Sequence, residues 1–264
     1  MARSSLKNVC RLIDAVSTEL PPEQQFLNDL KRSIELDVDK NSGLPSKTYK
    51  PSGMNCMRAS YYQVSGKEPD KASSNFALIG ICNSGTDTHI RIQTAISKMR
   101  ENGMDCEYVD VSKFVITRGL MDKLDIVSNK GMETKLYHRD LNMSFMCDGI
   151  VNYKGHYYIL ELKTESTYKF VSRQGVDPSH YNQATAYSLA FGIDEVLFVY
   201  INRDTFDMKS YVYNVTGQMK QDLIGYITEC DEYVKLQVAP PIPKDISKKT
   251  CSYCMYKTQC KKDG

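Results

Sequence analysis

One stretch constrains this chain more than any other: Cys147-Asp148-Gly149-Ile150-Val151-Asn152-Tyr153-Lys154-Gly155-His156-Tyr157-Tyr158-Ile159-Leu160-Glu161-Leu162-Lys163. It reads as a β-hairpin turning on the two residues Lys154-Gly155. With that turn Tyr153 faces His156, and counting outward puts Asp148 opposite Glu161. Side chains alternate along a strand, so Glu161 and Lys163 share a face. Two carboxylates and a lysine then converge. A slip of one residue in the turn would undo the pairing.

Two opposed acids repel unless a cation sits between them. Mg²⁺ prefers oxygen ligands and is typically held by one or two carboxylates, water and substrate phosphate. A metal there polarises a phosphate and acidifies its bound water. A neighbouring lysine orients that water or stabilises the developing negative charge. This is a phosphodiester-hydrolysis site in outline. The competing reading is ordinary: Glu-x-Lys on a strand is usually a solvated face with a weak ion pair. The apolar run from Tyr157 to Leu162, with Asp148 in register, brings the two readings level.

The rest of the chain predicts an α/β fold. Leu6, Val9, Cys10, Ile13 and Val16 have helical spacing, and a second helix is expected from Pro22 to about Leu36, followed by a loop to Pro51. A short helix follows Cys56. A longer one spans Ser74 to Met99, with a break possible at Gly80 or Gly85. Strands are expected at Phe114-Val115-Ile116, 133–138, 144–153 and 156–163. Asp177-Pro178 opens a helix, Asp as N-cap and Pro at the first helical position, and Gly192 closes it. Glu195 to Asn202 is a buried strand, with 209–215 as its antiparallel neighbour. Strand, crossover helix and strand make a βαβ unit. On its helix His180, Gln183 and Tyr187 share one face. A final helix over 217–236 leads through Ala239-Pro240-Pro241-Ile242-Pro243, a rigid connector, into a cysteine-rich tail.

That tail holds Cys251, Cys254 and Cys260, spaced to share one metal, and Cys56 is the best candidate for a fourth ligand. Disulfides are the alternative. The remaining five of the nine cysteines (Cys10, Cys82, Cys106, Cys147 and Cys230) read as small core residues. No apolar h-region follows the basic residues at the start, and no apolar run approaches a membrane span. A cytoplasmic protein is therefore expected, with reduced thiols and no membrane association. The net charge of +2 excludes nucleic-acid binding by bulk charge, so any DNA contact must use a local groove.

Taken in chain order, these residues resemble the RecB-like branch of the PD-(D/E)xK nuclease superfamily. The likeness is to its iron–sulfur members, the CRISPR-associated RecB-like exonucleases and AddB-type nuclease domains. It rests on Cys56, His89, Asp148, Glu161-Leu162-Lys163, Gln183-x3-Tyr187 and the trio Cys251, Cys254, Cys260. Cys147 stands where the superfamily's variable proline would be.

The resemblance implies a restriction-endonuclease-like core, a mixed central sheet flanked by helices, over residues 56–238. An N-terminal helical region (1–55) and a cysteine tail (239–264) packing back near Cys56 would flank it. Asp148 and Glu161 would bind Mg²⁺ or Mn²⁺, with His89 and the Leu162 carbonyl as further ligands. Lys163 would act on the attacking water, and Gln183 and Tyr187 would position DNA. Cys56, Cys251, Cys254 and Cys260 would hold a [4Fe–4S] cluster, with Zn²⁺ as the alternative.

The implied activity is a metal-dependent DNA exonuclease acting on single-stranded or duplex ends in recombination, repair or phage replication. The implied setting is a bacterial cytosol or phage-infected cell. A helicase or recombination protein is the partner class such an enzyme would have, since the sequence carries no P-loop of its own. Alternatives are a non-catalytic DNA-end-binding subunit, an endonuclease or CRISPR-adaptation-like end trimmer, and a zinc-stapled structural protein.

Overall fold

The computed structural model describes residues 20–41, 46–70, 76–130 and 132–264. The helix expected over Leu6 to Val16 lies outside them. Contacts divide the chain into two compact units. The smaller includes helix α1 (Pro22–Asn41) and the first turn of α3 (Phe76–Ser97). There the Phe76 amide donates to Glu35 at 3.0 Å. Helix α1 runs past Leu36 into the expected loop, since no glycine or proline interrupts it before Gly43.

The larger unit comprises residues 44–73 and 81–264. It carries α2 (Met57–Val64), β1 (Cys106–Val109), α4 (Val111–Thr117), β2 (Leu124–Lys130), β3 (Glu133–His138), β4 (Met143–Cys147), β5 (Gly149–Tyr153) and β6 (His156–Glu165). There follow α5 (Thr167–Ser172), α6 (Tyr181–Phe191), β7 (Glu195–Asn202), β8 (Met208–Asn214), α7 (Gly217–Leu236), α8 (Lys248–Ser252) and α9 (Lys257–Lys262). Among the described residues five strands form one sheet in the order β1-β5-β6-β7-β8, and three form a second, β2-β3-β4. The larger sheet is mixed: β6 and β7 are parallel and the other neighbours antiparallel.

Alternation along β5, β6 and β7 sends apolar side chains to both faces, as a covered sheet requires. Val151, Leu160, Leu162 and Ile201 pack with Ile92 of α3. Ile150, Ile159, Val196 and Phe198 belong to the main core with Phe114 of α4, Ala184 and Phe191 of α6, and Leu223 and Ile227 of α7. The expected fold class, an α/β core with a mixed central sheet flanked by helices, is what the chain adopts. The β6-α6-β7 crossover also forms as expected. Asp177 accepts from the Ser179 amide at 3.1 Å, Pro178–His180 make a 3-10 turn, and Gly192 ends α6 at φ 69°.

Two local readings differ, and the helix expected over Ser74 to Met99 forms without the possible break. Phe114-Val115-Ile116 lies in a helix rather than a strand. Asp110 caps it by accepting from the Lys113 amide at 2.9 Å, and Val111, Phe114 and Val115 bury one helical face. The strand expected over 144–153 breaks at Asp148, where the chain passes from the small sheet into the large one. Helix α3 runs unbroken through Gly80 and Gly85. Strands β1 and β2 had no counterpart in the sequence reading.

Candidate active site and cysteine pocket

The β5–β6 hairpin turns on Lys154 (φ 52°) and Gly155 (φ 83°), the two left-handed residues of a tight two-residue loop. Tyr153 pairs with His156, and the ladder runs outward to Gly149 opposite Leu160. The next step brings Asp148 to Glu161. Here the pairing changes character. Asp148 leaves the ladder, and its Oδ2 accepts from the Leu162 amide at 2.6 Å. Gly149 permits this departure, with φ at 150° and a Cβ position only 2.6 Å from the Tyr108 ring. The Asp148 carbonyl accepts from Gln93 Nε2 at 2.7 Å and from the Tyr108 hydroxyl at 2.8 Å. Its other carboxylate oxygen lies 3.0 Å from His89 Nδ1. Helix α3 comes close to β6 at Gly85, where a Cβ would lie 3.3 Å from Thr164 Oγ1. One turn later that helix delivers His89.

Glu161 is 4 % exposed. Its Oε1 accepts from Lys163 Nζ at 2.6 Å and from Gln183 Nε2 at 2.7 Å. Its Oε2 is buried with no partner among the described residues. Burial first, and Asp148 second, push the Glu161 carboxyl up to about 7, against the pull of Lys163 and His89. For His89, burial works against the charged form. Asp148 and Glu161 outweigh it and raise the imidazole above its ordinary value.

Gln183 and Tyr187 are buried, at 6 % and 2 % exposure. The Gln183 carbonyl accepts from Lys163 at 3.0 Å, and its amide also donates to the Tyr187 hydroxyl at 2.9 Å. That hydroxyl donates to the Met146 carbonyl at 2.5 Å. Both side chains therefore lie beneath Glu161 and Lys163, and their polar atoms are directed inward. His180, on the same side of the helix in the sequence reading, instead stacks on Phe198 and Tyr200.

Glu133, which the sequence reading did not single out, joins the site. His89, Glu133 and Asp148 each offer a ligand atom within 4.8 Å of the others. Glu133 opens a strand of the other sheet, so no spacing in the sequence signals it. The donor set His89, Glu133 and Asp148 has the chemistry to hold Mg²⁺ or Mn²⁺, two carboxylates and an imidazole; Glu161, expected as a ligand, is not part of that close group, though its Oε2 has no partner among the described residues.

Cys56 lies at the N-cap of α2, Cys251 in α8, Cys254 just beyond it and Cys260 in α9. All four line one cavity of about 570 Å³. They do not form a compact ligand group: among the described residues, His89, Glu133 and Asp148 are the set whose ligand atoms all lie within 4.8 Å. Burial raises the Cys56 thiol, while the Ala59 and Arg58 amides pull it down and the charges of Cys260 and Cys251 add to the rise. Cys106, Cys147 and Cys230 are buried as expected, but Cys82 is exposed on α3, a correction to its core reading, and Cys10 lies outside the described residues. Among the described residues no helix is long and apolar enough to cross a membrane.

No protein-family model and no curated protein matches the chain. Solved structures do. That of SSO0001 is 15% identical with a TM-score of 0.48, over 91% of this chain and 98% of that one. An alkaline exonuclease (LHK-Exo) from Laribacter hongkongensis is 12% identical with a TM-score of 0.42, over 73% of this chain and 92% of that one. The LHK-Exo complex with dAMP is 12% identical with a TM-score of 0.38, over 73% and 90%.

Proposed function

We propose that this chain is a metal-dependent deoxyribonuclease of the PD-(D/E)xK type, in the RecB-like branch, hydrolysing phosphodiester bonds at DNA ends. The observation that carries the reading is the buried Oε2 of Glu161, which has no partner among the described residues and whose carboxyl feels the Asp148 charge. A buried carboxylate oxygen without a donor is costly, and a divalent cation removes the cost. Asp148, Glu161 and His89 are the proposed ligands, with the Leu162 carbonyl and Glu133 as additional donors. When bound, Mg²⁺ or Mn²⁺ would polarise the scissile phosphate and acidify a water.

The remaining work falls to the chain. Lys163, 21% exposed and held between Glu161 and Gln183, presents an ammonium to the attacking water and to developing negative charge. Gln183 and Tyr187 are read as positioning residues that fix Lys163 and Glu161, so their service to DNA is indirect. The four cysteines are proposed to hold a [4Fe–4S] cluster that ties α2 to the C-terminal helices. A single zinc, with Zn–S bonds of about 2.3 Å, draws its thiolates close together. A zinc held by the same cysteines is the alternative.

The test uses anaerobically purified protein with end-labelled single-stranded, duplex and circular DNA, in Mn²⁺, Mg²⁺ or chelator, beside Lys163→Ala. Metal-dependent shortening of linear DNA that is lost in the variant supports the reading. Cutting of circles makes it an endonuclease. DNA binding without cleavage in either metal favours an end-binding subunit. Cleavage that survives Lys163→Ala refutes the site.

A further inference from the structure

Charge is unevenly spread along this chain. Residues 239–264 carry six lysines and two aspartates, a net +4, whereas residues 1–238 hold 28 lysines and arginines against 30 acids, a net −2. Two of the tail lysines, Lys257 and Lys261, join Lys50 in lining the cavity of about 570 Å³, and no Asp or Glu lines it among the described residues. All three side chains are exposed, and none of their ammoniums has a hydrogen bond or ion pair among the described residues. Arg58 also lines the cavity, but the Tyr62 hydroxyl and the Gly264 carbonyl already engage it, so it is not counted with them. Unpaired ammoniums gathered at one concavity focus a positive field on it, which a polyanion relieves. The tyrosines of the tail divide. Tyr256 is 2 % exposed and packs on Tyr62, ring centroids 5.7 Å apart. Tyr253 lines the cavity and is 80 % exposed. The turn that follows it is fixed: the Asp70 amide donates to the Met255 carbonyl at 2.6 Å, and the Asp70 carboxylate accepts from the Thr258 amide at 2.9 Å. A ring held out in water beside an anchored turn keeps its faces free for stacking.

We propose that the rim of this cavity is a second DNA-contact surface that takes single-stranded DNA: Lys50, Lys257 and Lys261 bind phosphates, and Tyr253 stacks on a base. The surface shares no residue with the carboxylate site. The proposal rests on the DNA reading given above and needs no metal at the cysteines. Lysines along a groove and an exposed aromatic ring are the two parts of sequence-tolerant single-strand binding. A duplex stacks its bases on one another, so a ring finds a free base face only on an unpaired strand. The lysine contacts release counterions and make binding depend on salt, whereas the stacked ring adds affinity without that dependence.

The experiment is fluorescence anisotropy of a labelled oligothymidylate with the full chain, over a range of salt and without added divalent cation, so that binding is read apart from cleavage. The wild type is compared with the triple variant Lys50→Gln, Lys257→Gln, Lys261→Gln and with Tyr253→Ala, each checked for fold by circular dichroism. Each phosphate contact on a single strand contributes about 0.7 to the slope of log K against log salt, so the triple variant should be shallower by about 2 and bind about tenfold or more weakly at low salt. Tyr253→Ala should weaken binding about fivefold or more with the slope unchanged. That loss should vanish on an abasic strand of equal length, and its persistence there would overturn the stacking role. A second triple variant, Lys98→Gln, Lys123→Gln, Lys154→Gln, removes the same charge from exposed lysines that do not line the cavity, and should match the wild type. Equal slopes in the wild type and the cavity variant, or equal losses in the two triple variants, would overturn the assignment. If the wild type still shortens linear DNA in Mn²⁺, the nuclease reading survives that failure. A wild type that neither binds nor cleaves DNA would overturn both.

Discussion

Lys163 and Glu161 meet through one oxygen: Nζ lies 2.6 Å from Oε1, while Oε2 of the same carboxylate is buried with no partner among the described residues. The lysine therefore offsets half of the carboxylate and leaves the other half available. Gln183 reinforces the division by donating to that same Oε1 and accepting from Nζ. The arrangement places the proposed cation ligand and the proposed water-orienting ammonium on one strand face, two residues apart.

Removing the ammonium tests the division of labour. Lys163→Ala is expected to lower the cleavage rate by about 100-fold or more, the scale of a lost charge-stabilising donor. At a pH well above the Glu161 value, where the carboxylate has lost its proton, its Mn²⁺ affinity should remain near that of the wild type, because Oε2 is untouched. Single-turnover cleavage and calorimetric Mn²⁺ titration check both parts.

The raised Glu161 carboxyl makes cation binding depend on pH. Its value of about 7 means that below neutrality a proton must leave before the metal binds. Apparent Mn²⁺ affinity should rise by about tenfold per pH unit up to about 7 and then level off. Affinity measured by titration from pH 5.5 to 8.5 shows whether the slope is present, and Glu161→Gln should make it shallower, leaving the part due to His89, which must also lose a proton to bind.

The same shift has a consequence for metal-free stability. An acid whose folded value is raised stabilises the fold below its unfolded value. That contribution is lost as pH rises from about 4.5 through about 7. At pH 8 without metal, Glu161→Gln should melt higher than the wild type, by about 3 °C or more on the usual scale of 2–4 °C per kcal/mol. Saturating Mn²⁺ should reverse the order, as thermal melts with and without chelator would reveal.

Positioning residues should act on turnover more than on binding. Gln183→Ala frees Lys163 and leaves Glu161 with one donor fewer, and about a tenfold loss in kcat is expected with the KM for DNA little changed. Gln183→Glu, which returns an acceptor to Lys163 but adds a buried charge, should not rescue it. Steady-state kinetics on end-labelled duplex separates the two parameters.

Acid stability depends on a second network. Burial opposes the Glu165 charge, but Arg173 and Lys169 outweigh it and hold the carboxyl below its ordinary value. A depressed acid stabilises the fold above its unfolded value near 4.5, and the contribution is lost as pH falls below that. Glu165→Gln should cost about 3 kcal/mol at pH 7, since it strips a partner from buried Arg173. The difference should shrink towards zero below pH 4. Urea unfolding at both pH values decides this.

Local rules carried much of the fold. The hairpin register follows from a two-residue turn and a side-chain period of two, both contained within seventeen consecutive residues from Cys147 to Lys163. The β6-α6-β7 crossover was equally legible, because Asp177, Pro178 and Gly192 mark their own helix ends. Phe114-Val115-Ile116 was misjudged because three apolar residues in a row fit either a strand or a buried helical turn, and the Asp110 cap decides between them.

What the sequence by itself determined is therefore the hairpin register that brings Asp148 to Glu161, the strand face shared by Glu161 and Lys163, and the βαβ frame that carries them. Tertiary structure alone decided the rest. The chain changes sheets at Asp148, where Gly149 and Tyr108 make room for the break. Glu133 arrives from a strand of the other sheet, and His89 from a helix almost sixty residues upstream of Asp148. Gln183 is turned inward to hold Glu161 and Lys163, and buried Tyr187 accepts from Gln183 behind it. The physical reason is the same in each case. Periodicity and capping are properties of neighbouring residues, whereas these contacts join residues distant in the chain, and only close packing of sheet against helix brings them within hydrogen-bonding reach.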